Sequence, residues 1–351
     1  MDFPFPSLQS NLVSEFRPLV RNAHALTILG NFWPRKIDAS HFPTKKVTYE
    51  IDERTRILVL EHAPEGPSRG DIVFLHGLEG SSEAGYIQSF AQAALEKGFC
   101  VHRTNLRSCG GTEQLCETMY HSGLTSDTLE IARRIRARNH LPIFVVGFSL
   151  GGNVALKLAG ELGDTSLLTG MCAISTPIDL AACVRTLDRR GNFLYAHRFL
   201  DRLRARVRRK SKLHPNLYSQ HGLNDVHSIW AFDDRFTAPL FGFGTAANYY
   251  ATQSSARFLD SIRVPTLVIT AKDDPLVPFE TYREHRAFQT NPALQLLAPE
   301  HGGHLGFLSR RKPRFWLDGV ALAWMESVLA ENKDTGENGK KGTTVPATSS
   351  I

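Results

Sequence analysis

The sequence predicts an α/β fold with a mostly parallel sheet, and three observations predict it. Short apolar runs rich in β-branched residues alternate with helical segments, the pattern of a parallel sheet covered by helices. One run, Ile143 to Val146, leads into Gly147-Phe-Ser-Leu-Gly151 and then into a helical stretch with Val154, Leu156, Leu158 and Ala159. An acid and a histidine follow that serine, each just after a later strand: Ala271-Lys-Asp-Asp-Pro275 after Thr266–Thr270, and Pro299-Glu-His-Gly-Gly-His304 after Leu294–Leu297.

The elements come in order. Met1 to Glu15 has two prolines, two acids and no apolar core, so it does not read as a secretory signal. Asn22 to Arg35 is a mixed polar and aromatic segment ahead of the strands. Lys45–Ile51 and Arg56–His62 read as paired strands, and Asp71–Leu75 as a buried strand running into the His76-Gly77 turn. Ser81–Gly98 supplies a helix, with Gly98 just past its end. Phe99–Leu106 is the next strand and leads into Arg107-Ser-Cys-Gly-Gly-Thr112. That glycine-rich loop lacks the Lys-Ser/Thr of a phosphate loop, so it reads as a strand-end turn. Thr125–Asn139 is a helix. The serine strand and its helix follow, and Leu167–Ser175 is another strand.

The alternation stops at Thr176-Pro177 and resumes at Val264. The stretch between, of ~85 residues, is too long for a plain crossover. The expected organisation is an N-terminal segment at 1–44, a core at 45–176 and 263–330, an inserted helical lid at 177–262, and a disordered tail at 331–351. Phe315–Leu329 is the expected closing helix.

Composition excludes several classes. Hydrophobic residues make up 42% of 351 and charged residues 22%, ordinary for a soluble globular chain. The uncharged run 141–156 falls short of the ~20 apolar residues of a membrane span and is broken by glycines. The five cysteines form no CxxC pair and no zinc spacing. They fit free thiols in a reducing compartment, and a cytoplasmic location is the expectation. No metal or cofactor is expected. The net charge of +6 is local: Arg198 to Lys212 carries +7 and the rest sums to −1, so no nucleic-acid partner is expected.

The Gly-x-Ser-x-Gly context is that of a nucleophile elbow, where a strained turn exposes a serine above a helix N-terminus. A serine hydroxyl needs a neutral imidazole to accept its proton, and the imidazole needs a carboxylate to fix its tautomer. Ser149, Asp274 and His304 are the candidates. Asp274 is preferred to Asp273 because the chain turns at Pro275-Leu-Val-Pro278, which leaves Asp273 as a solvated or helix-capping neighbour. His304 is preferred to His301 because small residues flank it. His76 is read as shaping the Gly77 turn. The N–H groups of Leu78 and Leu150 are the candidate oxyanion donors.

With these residues in view, the chain resembles the YheT-type subfamily of α/β-hydrolases, the AB-hydrolase 4 family, from about Asn22 to Met325. The resemblance rests on His76-Gly-Leu-Glu-Gly-Ser-Ser82, Asn105-Leu-Arg-Ser-Cys-Gly-Gly111, Tyr120-His-Ser-Gly123, Gly147-Phe-Ser-Leu-Gly-Gly-Asn153 and Ala271-Lys-Asp-Asp-Pro275. Its most specific part is Phe232-Asp-Asp-Arg-Phe-Thr-Ala-Pro-Leu-Phe-Gly-Phe-Gly244 with Tyr249, Tyr250 and Ser254. The resemblance implies an α/β-hydrolase fold and a serine carboxylesterase or lipase-like activity. Ser149, Asp274 and His304 match the family's nucleophile, acid and base. The chain departs from the family pattern at Asn248, at Ser108 after Arg107, and at His24-Ala-Leu-Thr27. The amino-terminal membrane anchor of some eukaryotic relatives is not expected.

Two classes of function follow. The first is hydrolysis of short- to medium-chain acyl esters, with acyltransferase, thioesterase and peptidase as rivals on the same triad. The second is a binding protein whose lid docks on acidic or lipid surfaces through the basic segment 193–212, where Leu200, Leu203 and Val207 fall at helical spacing. Peripheral contact with an anionic lipid surface is the partner that this second reading implies.

Overall fold

The computed structural model describes residues 16–340. Its centre is an eight-stranded sheet in the order β1-β2-β4-β3-β5-β6-β7-β8. The strands are β1 Lys45–Asp52, β2 Thr55–His62, β3 Asp71–Leu75, β4 Cys100–Thr104, β5 Ile143–Phe148, β6 Gly170–Ile174, β7 Thr266–Ile269 and β8 Leu294–Leu297. β2 runs antiparallel to both β1 and β4, and the remaining pairs are parallel.

The helices of eight or more residues are α1 Ala23–Phe32, α2 Gly85–Glu96, α3 Ser126–Asn139, α4 Leu150–Leu162, α5 Leu180–Leu187, α6 Phe193–Leu213, α7 Ala246–Gln253 and α8 Trp316–Lys340. Strand period decides which faces pack. Val73 and Leu75 of β3 and Ile143 and Val145 of β5 point into the core shared with Ile131 and Ile135 of α3 and Val154 and Leu158 of α4. Ile72, Phe74, Phe144 and Val146 point the other way, onto Ile87 and Phe90 of α2 and Val320 and Trp324 of α8. Strands buried on both faces are what continuous apolar runs produce.

α1 was not legible as a helix. Asn22 caps it by accepting the Ala25 N–H at 2.9 Å. Everything from α5 to the short 3-10 stretch Ser255–Ser261 is inserted between β6 and β7 and has its own apolar cluster around Leu203, Val207, Phe232 and Tyr250. α8 runs to Lys340, past residue 331, where the tail was expected to begin. The segment 341–351 and the Met1–Glu15 reading lie outside the described residues.

The basic segment is not wholly turned to solvent. Arg206 and Lys210 are buried. Arg206 pairs with Glu79 at 2.8 Å, and Lys210 donates to the carbonyls of Glu113 and Cys116. Two of the cations therefore bind α6 to the core, because each finds an acceptor at the seam between the insertion and the sheet.

Candidate active site

β5 ends at Phe148 beside Ile174 of β6, and the Ser149 N–H donates to the Ile174 carbonyl at 2.7 Å. The chain then reverses into α4. Ser149 takes φ 52° and ψ −120°, a strained conformation for a residue with a side chain. The flanking glycines make that turn feasible. A Cβ at Gly147 would stand 2.2 Å from the Gly151 carbonyl oxygen, and one at Gly151 would stand 2.4 Å from the Leu75 carbonyl oxygen. Backbone occupies both places, so neither position can hold a larger residue without moving the elbow.

His304 reaches this serine from the loop after β8. Its Nε2 accepts the Ser149 Oγ–H at 3.0 Å, and its Nδ1 donates to Asp274 Oδ2 at 2.9 Å. The Asp274 side chain is fully buried, and its other oxygen accepts the N–H groups of Leu276 and Val277 at 2.9 and 3.1 Å. Those two bonds hold the carboxylate in one orientation and supply donors to an ionised group inside the protein. The loop that carries His304 is held from α1 as well, since the His304 backbone N–H donates to Thr27 Oγ1 at 2.8 Å.

The neighbouring pair has a different task. Asp273 accepts from His301 Nδ1 at 3.0 Å and from the Gly303 N–H at 2.9 Å. It braces the histidine loop and is neither a helix cap nor simply solvated. Adjacent side chains diverge, so Asp274 faces His304 while Asp273 faces the loop.

The remaining candidates lie on the same cleft. Leu78, Leu150, Ser149 and His304 line it together. Among the described residues no acceptor takes the N–H of Leu78 or Leu150, and Leu150 opens α4, where the helix dipole favours negative charge. His76 is buried, with Nδ1 donating to the Gly77 carbonyl at 2.7 Å and Nε2 accepting the Leu106 N–H at 3.1 Å. Burial pushes its pKa down to about 4. It is a neutral strut for the turn that carries Leu78.

Inserted helices supply much of the cleft wall through Leu180, Val184, Leu187, Leu203, Ile229 and Phe232. Sequence reasoning left several contributors without a role. Asp233 faces the cleft from a π-helical turn, Asp233–Thr237, and accepts from Tyr250 Oη and Thr237 Oγ1, both at 2.6 Å. Burial raises its pKa to about 6, against the pull of those two bonds. Asn153 is fully buried and donates to the carbonyls of Ser122 and Gln253 at 2.8 and 2.9 Å, while its oxygen accepts the Ser255 N–H. It ties α4 to the cleft loop and to the end of the insertion. Arg107 joins the turn after β4 to α3 by pairing with both oxygens of Asp127 at 2.6 and 2.7 Å, and it donates to Thr118 Oγ1 at 2.8 Å, just ahead of that cleft loop. Their only sequence signal was membership of the family strings. Ser108, which stands after Arg107 where the family often has glycine, takes φ 61°.

A sheet of this order with a serine on the turn after β5 is a known architecture, and the sequence agrees with it. The alpha/beta hydrolase fold family matches residues 72–310. The chain belongs to that family. YheT of Escherichia coli (strain K12) is 28% identical to this α/β-hydrolase over 90% of the chain and 94% of its own length. The monoacylglycerol lipase of Saccharomyces cerevisiae is 26% identical over 80% of the chain and 65% of its own length. Among solved structures, the Pyrococcus furiosus esterase Pf2001 superposes with a TM-score of 0.54 at 18% identity, over 83% of this chain and 99% of that one, a likeness of fold. The protein is thus an enzyme of the esterase and lipase type. Among the described residues no helix is long and apolar enough to cross a membrane.

Proposed function

We propose that this α/β-hydrolase cleaves short- to medium-chain carboxylic esters through an acyl-enzyme on Ser149. The observation that carries the reading is the unbroken hydrogen-bond chain from Asp274 through His304 to Ser149, opening onto an apolar cleft. In this mechanism Ser149 Oγ attacks the ester carbonyl as His304 Nε2 takes its proton. The oxyanion forms between the N–H groups of Leu150 and Leu78. Asp274 steadies the imidazolium and stays ionised. His304 then returns the proton to the departing alcohol. A water molecule, deprotonated by the same nitrogen, releases the acid and restores Ser149.

The wall of Leu180, Val184, Leu187, Leu203, Ile229 and Phe232 suits an acyl chain, since each buried methylene contributes ~0.8 kcal/mol. Similarity to a monoacylglycerol lipase supports an ester of a small alcohol. A p-nitrophenyl ester series from acetate to laurate tests the reading. The expected kcat/KM rises from acetate to a short- or medium-chain optimum and then falls, and it vanishes in Ser149→Ala. A flat series, or one unaffected by Ser149→Ala, would reject it.

A further inference from the structure

Seven large apolar side chains are exposed among the described residues; six sit on two helices that touch, and five of these gather on α1 and the first turn of α6. Ile28, Leu29 and Phe32 lie on α1; Phe193 and Leu194 open α6. Phe32 is 64% exposed, Phe193 62% and Leu194 74%. Such residues scattered singly are ordinary, but gathered together they mark a contact surface. The helices meet where the Arg198 guanidinium lies 5.3 Å from the Phe32 ring centre and His24 stacks on Tyr195 at 5.8 Å. His24 Nδ1 and the Tyr195 hydroxyl are also bonded at 3.2 Å.

Charge indicates what covers this surface. Neither Phe16–Lys36 nor Arg189–Leu200 contains an Asp or Glu, while Arg21, Lys36, Arg189, Arg190 and Arg198 are exposed cations. The acids at its margins are engaged, Asp38 with His41, Asp188 with the N–H groups of Ile229 and Trp230, and Asp201 with His197 and Arg204, and an apolar patch rich in cations fits an anionic interface: the apolar side chains enter the acyl boundary and the cations meet headgroups. A second copy of the chain fits less well, since a two-fold contact would set the same cations against one another.

The patch also adjoins the cleft. Thr27 of α1 holds the His304 backbone, and a Cβ on Gly30 would stand 2.7 Å from Gly306 Cα, so α1 packs against the histidine loop. On the other side, Phe199 and Leu203 of α6 line the cleft. We propose that the α1–α6 surface docks on an anionic lipid interface and presents the cleft to esters held there. Docking stands on the patch alone; delivery of esters rests on the hydrolase reading above.

The test uses the full chain carrying Ser149→Ala, so that lipid is not consumed. It is sedimented with phosphatidylcholine vesicles that contain one-third phosphatidylserine. The expected result is salt-sensitive binding, weakened about tenfold or more by Phe32→Gln with Leu194→Gln, and weakened by Arg198→Glu. In the active chain, the double substitution should leave p-nitrophenyl acetate turnover unchanged and lower turnover of vesicle-borne esters. No binding by the parent chain, or equal binding by all variants, overturns the proposal. A parent dimer that the double substitution dissociates, with no vesicle binding, also overturns it and makes the patch a self-interface. Binding as expected with no hydrolysis of any ester leaves docking intact and removes the hydrolase reading.

Discussion

Glu79→Gln should loosen the inserted helices from the core. Glu79 and Arg206 meet at 2.8 Å with side chains 2% and 4% exposed. At an effective dielectric of about 20 that separation corresponds to an attraction of about 6 kcal/mol before desolvation is counted. Arg206 also donates to the Ser108 carbonyl and to Cys109 Sγ, and lies 5.2 Å from the Tyr120 ring centre. Glutamine leaves the guanidinium buried with those weaker partners alone, a loss of about 3–5 kcal/mol. Arg206→Met leaves the buried carboxylate with only the Tyr120 hydroxyl, at 3.0 Å, and should cost about as much. The double variant buries no charge and should recover most of the loss, giving a coupling of about 2 kcal/mol or more. Glu79 follows Leu78, so the single variants should also lower kcat. Urea midpoints for the four proteins, with hydrogen exchange across α6, measure the cycle. Single losses below about 1 kcal/mol that simply add would instead mean a solvated pair that does not hold the insertion to the core.

Three further outcomes are expected. Asp274→Asn should lower kcat on the order of ~10⁴-fold by removing the acceptor that fixes the His304 tautomer, while Asp273→Asn should change it far less; stopped assays at matched folded fraction check the ranking. Gly151→Ala should abolish activity and destabilise the fold, because its Cβ would meet the Leu75 carbonyl at 2.4 Å, and expression with thermal melting reads both effects. Asp318 is fully buried, and burial raises its pKa from 3.8 to about 7 against a hydrogen bond from Ser89 and the charge of Arg35. Its folded value lies above its unfolded one, so its contribution to stability is complete below about pH 4 and is lost as pH rises through 7. The melting temperature should therefore fall more between pH 5 and 8 in the parent than in Asp318→Asn.

The meeting of Ser149, His304 and Asp274 was legible because its constraints are local. Gly147 and Gly151 report a turn with no space for side chains, and each of Asp274 and His304 follows its own apolar strand. The seam between insertion and core was not legible, since burial of a cation depends on what lies opposite it. Arg206 and Lys210 look like any other members of a basic helix, yet Glu79 and the Cys116 carbonyl wait across the fold. Asp233 belonged to a distinctive string, but only the π-helical turn aims it at the cleft. Asp273 was misjudged for the same reason, because its partners His301 and Gly303 arrive from 28 and 30 residues away. α1 hid because its apolar residues Ile28, Leu29 and Phe32 remain exposed, which blurs the one-sided pattern that betrays a helix.

Fluorophosphonate labelling followed by peptide mass mapping decides whether Ser149 is the nucleophile activated by His304 and Asp274. One adduct is expected, on the peptide carrying Ser149, formed quickly by the parent, slowly by His304→Ala, and not at all by Ser149→Ala. An adduct on another residue, or labelling that persists in folded Ser149→Ala, would contradict that assignment.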